Sequence, residues 1–180
     1  MQPSAFSETT SMSRRCFFTA ASLSVAATAT AGEAASGLPT AYVLGHGEVT
    51  TYLLVYQTGQ EVMKGLLKFA NKHKLVAGHL TGIGAISDAV IGYFDPHTKT
   101  YLRNHEAGQA EVLSLTGNLT LDDNQPFFHV HVALGRRDGS ARGGHLFAMT
   151  ARPTVELVLT AYPEPVRRRI DPEWGLPLLY

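Results

Sequence analysis

One segment of the chain, residues 127–147, reads FFHVHVALGRRDGSARGGHLF and predicts two antiparallel β-strands joined by a short loop. Its first half has the two-residue period of a strand, with apolar residues on one face. Arg137-Asp138-Gly139 suits a three-residue hairpin loop in which glycine takes the left-handed conformation. We therefore expect Arg136 to pair with Ser140 across the loop.

Histidines occupy both predicted strands of this hairpin. Side chains two residues apart on a strand share a face, so His129 and His131 project to the same side. The loop register places His131 opposite His145, with Cβ atoms about 5 Å apart, and His129 opposite Phe147. The sequence therefore predicts three imidazoles on one face. A two-residue turn, or a bulge at Gly143-Gly144, would instead turn His145 to the other face.

Three imidazoles are a typical ligand set for a metal ion. They leave a fourth position open, which is the pattern of a site that binds a ligand or substrate. We predict a divalent metal at His129, His131 and His145 and favour zinc, although iron, nickel and copper also accept imidazole. Glu111, at the start of another predicted strand, is the candidate carboxylate that orients a ligand or acts as a general base. The alternative is that the histidines hydrogen-bond in a cleft or trimer channel without metal.

The sequence of the rest of the domain predicts a helix followed by many strands. Residues 61–74 carry apolar side chains at helical spacing, and Thr58 with Glu61 forms a capping-box pattern at the start. An early helix with many strands predicts an α+β domain built on a largely antiparallel sheet. After the helix we predict strands at residues 77–85, 89–95, 100–105, 110–121, 127–134, 143–150 and 154–161.

The N-terminal residues 1–31 have the pattern of a twin-arginine export signal. Ser13-Arg14-Arg15-Cys16-Phe17-Phe18 matches most of that motif, an Ala-rich apolar run follows, and Ala29-Thr30-Ala31 suits cleavage. Translation could also start at Met12. We therefore expect a periplasmic or otherwise exported protein, with no membrane anchor after cleavage and no cysteine left to form a disulfide.

The mature chain divides into a linker at residues 32–40, a domain at 41–165 and a tail at 166–180. The tail is rich in proline, so we expect it to wrap a surface or reach a neighbouring subunit. Arg167-Arg168-Arg169 could meet phosphate or an acidic ligand, but we favour a solvated or ion-paired face. The whole chain has 15 Lys and Arg against 15 Asp and Glu. This balance disfavours binding to nucleic acid through phosphates and leaves only a local basic patch open.

Several motifs in order resemble the plants-and-prokaryotes-conserved (PPC) domain family, over roughly residues 45–162. They are TGIGAISD at 81–88, GYFD at 92–95, EVLSLTGN at 111–118, HVHVALG at 129–135, GGHL at 143–146 and RPTVE at 152–156. The resemblance implies a compact domain with a mostly antiparallel sheet and a flanking helix, assembled as a homotrimer. It also implies a metal site at His129, His131 and His145. Plant members of the family carry an Arg-Gly-Arg-Pro hook and act on chromatin, and this chain has no such hook.

Three functions are open at this point. The first is an exported metal-binding protein that binds or acts on an unknown small molecule. The second is a DNA-binding or transcription-associated protein, as the general label of the family suggests. The third is a metal-free trimeric scaffold. No nucleophile elbow, phosphate-binding loop or dinucleotide fingerprint occurs in the sequence, so no reaction is indicated.

Overall fold

The structure is a computed structural model that describes residues 36–45 and 47–180. The predicted export signal at residues 1–31 lies outside the described residues. The elements in chain order are β1 (Thr40–Gly45), β2 (Thr50–Gln57), α1 (Val62–Lys72), β3 (Gly78–Asp95), β4 (Thr100–Asp122), β5 (Gln125–Gly135), β6 (Ala141–Ala161), β7 (Arg168–Ile170) and β8 (Pro177–Leu179). In this part of the chain, no helix has the length and apolarity needed to cross a lipid bilayer.

Six strands form one sheet in the order β1-β2-β6-β3-β4-β5, and every neighbouring pair is antiparallel. The start of β6 also pairs with β5, which closes the last four strands onto one another. The helix α1 and the buried faces of the strands share one apolar core, which includes Leu66, Phe69, Leu115 and Leu157. The predicted α+β fold with a largely antiparallel sheet and a flanking helix is confirmed.

Three strands are longer than the sequence predicted. β3, β4 and β6 continue through residues 86–88, 106–109 and 151–153, where we predicted breaks. The pairing of β3 with its neighbours shifts register between Ile86 and Asp88, and again between Gly84 and Ile86 on the side of β6. A bulge accommodates an extra residue without ending the strand, so the apolar alternation is interrupted while the strand continues.

The helix is shorter than predicted, and its first residue is capped differently. Glu61 is itself the N-cap, and its carboxylate accepts hydrogen bonds from the backbone N–H groups of Met63 at 3.3 Å and Lys64 at 2.6 Å. Thr58 instead donates its hydroxyl to the carbonyl of Pro153 at 3.0 Å. The predicted capping box is therefore wrong, because Glu61 has extended backbone angles and lies outside the first turn.

The C-terminal tail wraps the body of the domain. β7 and β8 form a separate two-stranded sheet, and the N–H of Leu121 donates to the carbonyl of Val166 at 2.8 Å. The expectation of a solvated arginine face is wrong for Arg168, which is only 9% exposed, while Arg167 and Arg169 are exposed. The tail thus inserts a cationic side chain into the domain.

Candidate metal centre and adjoining cavity

The hairpin of β5 and β6 has the predicted register. His131 pairs with His145, and pairing continues to the loop, where the N–H of Arg136 donates to the carbonyl of Ser140 at 2.8 Å. Gly139 has a φ of +81°, the left-handed conformation expected for this loop. The alternative registers, which would separate His145 from the other histidines, are therefore excluded.

The predicted pairing of His129 with Phe147 is wrong, because β6 no longer pairs with β5 beyond His145. From His145 onward β6 pairs with β3, while His129 pairs with Asn118 on β4. Gly144 lies where β6 meets both neighbours. A Cβ at Gly144 would stand 2.4 Å from the carbonyl oxygen of Gly92, so only glycine allows this close approach.

The three imidazoles converge. The Nε2 atoms of His129 and His131 lie 3.1 Å apart, and one ring nitrogen from each of the three residues, with His145, lies within 4.8 Å of the others. Two nitrogens bound to one tetrahedral zinc at about 2.0–2.1 Å would lie about 3.3 Å apart. The histidines are thus spaced closely enough to share an ion, and a direct hydrogen bond between His129 and His131 is the metal-free alternative.

The environment favours the neutral imidazole at His145 and at His129. Burial lowers the pKa of His145 to about 4, and the charges of His129, His131 and Arg103 act in the same direction. Burial lowers the pKa of His129 as well, and the charges of His131 and Arg168 act in the same direction. A neutral imidazole has the free lone pair that a metal requires. Nδ1 of His145 is buried and has no hydrogen-bond partner among the described residues.

A cavity of about 370 Å³ lies beside His129 and His145. This volume falls in the range of small-molecule binding sites, which are concave and mostly apolar with a few polar groups. Its other walls come from α1, from strands β4 to β6 and from the tail, namely Met63, Tyr101, Phe127, Phe128, Leu146, Phe147, Arg168, Leu176, Pro177 and Leu178.

Aromatic rings surround His145. Its ring centroid lies 4.9 Å from that of Tyr101 and 4.8 Å from that of Phe147, and these two rings contact each other edge to face at 5.2 Å. Such contacts restrict the orientation of the imidazole and exclude water from one side of it. The candidate metal centre therefore has one face toward an apolar cavity, while His131 is exposed.

Arg168 is the charged side chain of this cavity, and its inward position was not predicted from the sequence. Its Nε donates to Thr120 Oγ1 at 2.8 Å, its Nη1 to the carbonyl of Pro177 at 2.9 Å and its Nη2 to Asn118 Oδ1 at 2.7 Å. Among the described residues, no carboxylate forms an ion pair with it. Three consecutive arginines in a proline-rich tail give no local signal of which one turns inward.

Glu111 does not lie with the histidines in this chain. It pairs with Gly135 at the loop end of β5, whereas Thr116, further along β4, pairs with His131. Its carboxylate is exposed and lines two surface depressions that contain no histidine among the described residues. The chain therefore brings the three predicted metal ligands together and leaves the predicted carboxylate at a separate location.

Residues 45–163 match the family model of the Plants and Prokaryotes Conserved (PCC) domain. No curated protein sequence matches the chain.

Solved structures resemble the chain over most of their own length. A metal-containing protein from Archaeoglobus fulgidus is 34% identical, with a TM-score of 0.68, and the match covers 79% of this chain and 98% of that one. A plant- and prokaryote-conserved (PPC) protein from Pyrococcus horikoshii is 31% identical, with a TM-score of 0.69 and coverages of 78% and 94%. A candidate DNA-binding protein from Bacteroides thetaiotaomicron is 30% identical, with a TM-score of 0.73 and coverages of 78% and 96%.

Proposed function

The chain belongs to the Plants and Prokaryotes Conserved domain family, and on this basis we propose that it is a metal-binding protein that takes a small molecule beside the metal. His129, His131 and His145 hold one divalent ion, and the adjoining cavity receives the molecule. The observation that carries this proposal is the convergence of three ring nitrogens within 4.8 Å of one another, beside a cavity of about 370 Å³ that His129 and His145 line.

Two further observations support a metal rather than a purely structural histidine cluster. Nδ1 of His145 is buried without a partner among the described residues, and a buried polar atom in that state is costly unless a ligand satisfies it. The relative from Archaeoglobus fulgidus is a metal-containing protein and shares 34% of its residues with this chain. Zinc is the metal that we favour, because it accepts three imidazoles with an open fourth position.

The chemistry of such a site follows from its ligands. An ion held by three neutral imidazoles keeps its full positive charge, so it would attract an anionic or carbonyl oxygen at the open position. His129 and His131 present their ligand atoms from adjacent same-face positions of β5, and His145 completes the set from β6. The rings of Tyr101 and Phe147 keep His145 in place.

Assembly and location form part of the same proposal. The family resemblance supports a homotrimer, and the twin-arginine pattern at residues 13–18 supports export to the periplasm. Light scattering of the purified protein and fractionation of cells that express the full chain would test these two points.

His131→Ala tests the metal site. His131 is exposed, so its loss should leave the fold intact while it removes one of three ligands. We expect about one ion per chain in the wild type and an ion in only a minor fraction of the variant chains, because a two-histidine site is incomplete. Elemental analysis of tag-free protein, with circular dichroism as the fold check, gives the measurement.

His105→Ala is the matched control, since His105 is an exposed histidine on β4 outside the cluster. It should retain the ion. Full metal occupancy in His131→Ala would contradict the proposed site. A wild-type protein that binds no ion even when zinc is offered would leave the histidines as a structural cluster and favour the metal-free scaffold.

DNA binding is the second candidate, because the relative from Bacteroides thetaiotaomicron is a candidate DNA-binding protein. The balanced charge of this chain, with 15 basic and 15 acidic residues, supports it poorly, since neutralised phosphates supply most of the affinity of such proteins. An affinity for duplex DNA at low salt that falls steeply with added salt would favour this second function.

A further inference from the structure

We infer that the cavity beside the histidines takes an aromatic monocarboxylate, whose carboxylate lies between Arg168 and the metal-binding histidines and whose ring lies among the apolar walls. The inference rests on the proposed metal site and names the class of molecule that the site receives.

Arg168 lines the same cavity as His129 and His145. Its Nη2 donates to Asn118 at 2.7 Å, and Asn118 is the residue directly opposite His129 on the neighbouring strand. Directly opposed residues of antiparallel strands project to the same face. The guanidinium therefore lies on the histidine face of the sheet, one strand away from His129.

Arg168 is only 9% exposed, and no carboxylate of the described residues lies within ion-pair distance of it. The charge of Asp122 acts on it from further away, and its guanidinium carbon lies 4.8 Å from the ring centroid of Phe127. A buried cation without a directly paired carboxylate is unfavourable, and the nearby ion held by the histidines would add further positive charge. An anionic group placed between them would neutralise both. A ligand carboxylate therefore suits this cavity better than a neutral group of the same shape.

A guanidinium has five N–H groups, and three nitrogens of Arg168 each donate once, to Thr120, Pro177 and Asn118. One N–H on each terminal nitrogen is left for another acceptor. Carboxylates accept from arginine in this paired manner, and the three existing bonds hold the guanidinium in place before a ligand arrives.

Apart from Arg168 and the histidines, the residues that line the cavity are aromatic and aliphatic, and they include Tyr101, Phe147 and Leu178. Aromatic rings pack favourably edge to face against such walls. A phosphorylated or sugar-like molecule would leave most of its polar groups without partners there. In a compact aromatic molecule with one carboxylate, the ring would pack against the apolar walls and the carboxylate would pair with Arg168.

The test uses 3-phenylpropanoate and its uncharged analogue 3-phenylpropanamide as probes. Calorimetry on the zinc-loaded full protein should show the acid binding at least about tenfold more tightly than the amide, because charge-assisted hydrogen bonds are about twice as strong as neutral ones. Arg168→Met should abolish this preference. Arg169→Met, which alters the exposed neighbouring arginine, should retain it.

Equal binding of acid and amide by the wild type would overturn the inference, and so would an acid preference that persists in Arg168→Met. If Arg168→Met fails to fold, Leu178→Trp provides a second variant, since it fills the cavity without altering Arg168 and should prevent probe binding. Elemental analysis of the same samples separates the two proposals. An occupied metal site without acid preference overturns only this inference, whereas an absent ion overturns both.

Discussion

Glu106 shows how one buried residue stabilises the hairpin that carries the histidines. Its side chain is 5% exposed and receives hydrogen bonds from Arg136 in the hairpin loop and from Arg142 on β6, the latter at 3.2 Å. Burial alone raises the pKa of this carboxyl, but the hydrogen bonds and charges of the two arginines outweigh burial and lower it. The ion pairs therefore tie β4 to the loop that sets the histidine register.

Glu106→Gln should reduce stability in a pH-dependent manner. A carboxyl with a lowered pKa in the folded state stabilises the fold above its unfolded pKa of about 4.3, and this contribution disappears as the pH falls through the lower folded value. We expect a loss of about 1.5–3 kcal/mol in the free energy of unfolding at pH 7, and a smaller difference from wild type as the pH approaches 3. Urea unfolding between pH 7 and pH 3 measures it.

Glu111→Gln is the control for this prediction, because Glu111 is an exposed carboxylate on the same strand. Its effect should stay within about 0.5 kcal/mol at every pH. If the difference between Glu106→Gln and the wild type does not change with pH, ionisation of Glu106 is not the source of its effect.

Individual residues also show which features of the site a local sequence pattern predicts and which it does not. The positions of His129 and His131 on one face follow from the two-residue period of a strand, and the structure confirms this, since Phe128 and Val130 between and beside them are buried. Arg168 carries no comparable pattern. Its inward direction depends on the docking of the tail against β4, which no neighbouring residue encodes.

At the scale of elements, the start of α1 depends on Glu61. Its carboxylate accepts from two N–H groups of the first helical turn and from the N–H of Met149 on β6 at 3.2 Å. The residue therefore caps the helix and also ties it to the strand behind it. Buried Val62, Leu66 and Phe69 then turn one helical face to the core.

Glu61→Ala should lower the free energy of unfolding by about 1–2 kcal/mol, because the first-turn N–H groups lose their acceptor. Glu61→Gln keeps one acceptor oxygen and should lose less than half as much. Chemical denaturation of the variants beside Glu48→Ala, an exposed carboxylate away from the helix, provides the comparison. A loss in Glu61→Ala no larger than in Glu48→Ala would show that the cap contributes little.

The positions of the helix and of the strands that follow it in the six-stranded sheet were predicted from the sequence, but the full lengths of three strands were not. The helix, the hairpin loop and the approximate centres of the strands follow from local periodicity and turn residues. The continuity of β3, β4 and β6 does not, since bulges such as the one between Ile86 and Asp88 interrupt the alternation in the same way as a loop. The strands stay continuous because they pair with neighbouring strands. The identity of those neighbours cannot be read from the local sequence.

At the scale of the whole molecule, an ion at the three histidines would link β5 to β6. An ion that binds only the folded chain stabilises it by mass action, by about 2.7 kcal/mol at a hundredfold excess over Kd. For a domain of this size, this corresponds to a rise in Tm of about 5–10 °C. Differential scanning calorimetry with and without zinc should show this rise in the wild type.

His145→Ala should remove most of that rise, because it deletes the ligand on β6 while both ligands on β5 remain. Magnesium serves as the control ion, since it prefers oxygen ligands and should leave Tm unchanged. An equal rise with zinc in the wild type and in His145→Ala would place the stabilising ion elsewhere on the protein.

Local patterns were enough to predict the α+β class, the hairpin register and the three converging histidines, because all of these depend on residues close together in the chain. The pairing of β6 with β3 beyond His145, the separation of Glu111 from the histidines and the burial of Arg168 in the cavity required the folded chain. These features join segments that are distant in sequence. Their geometry is set by which strands and tail surfaces pack together, and short-range periodicity contains no information about that choice.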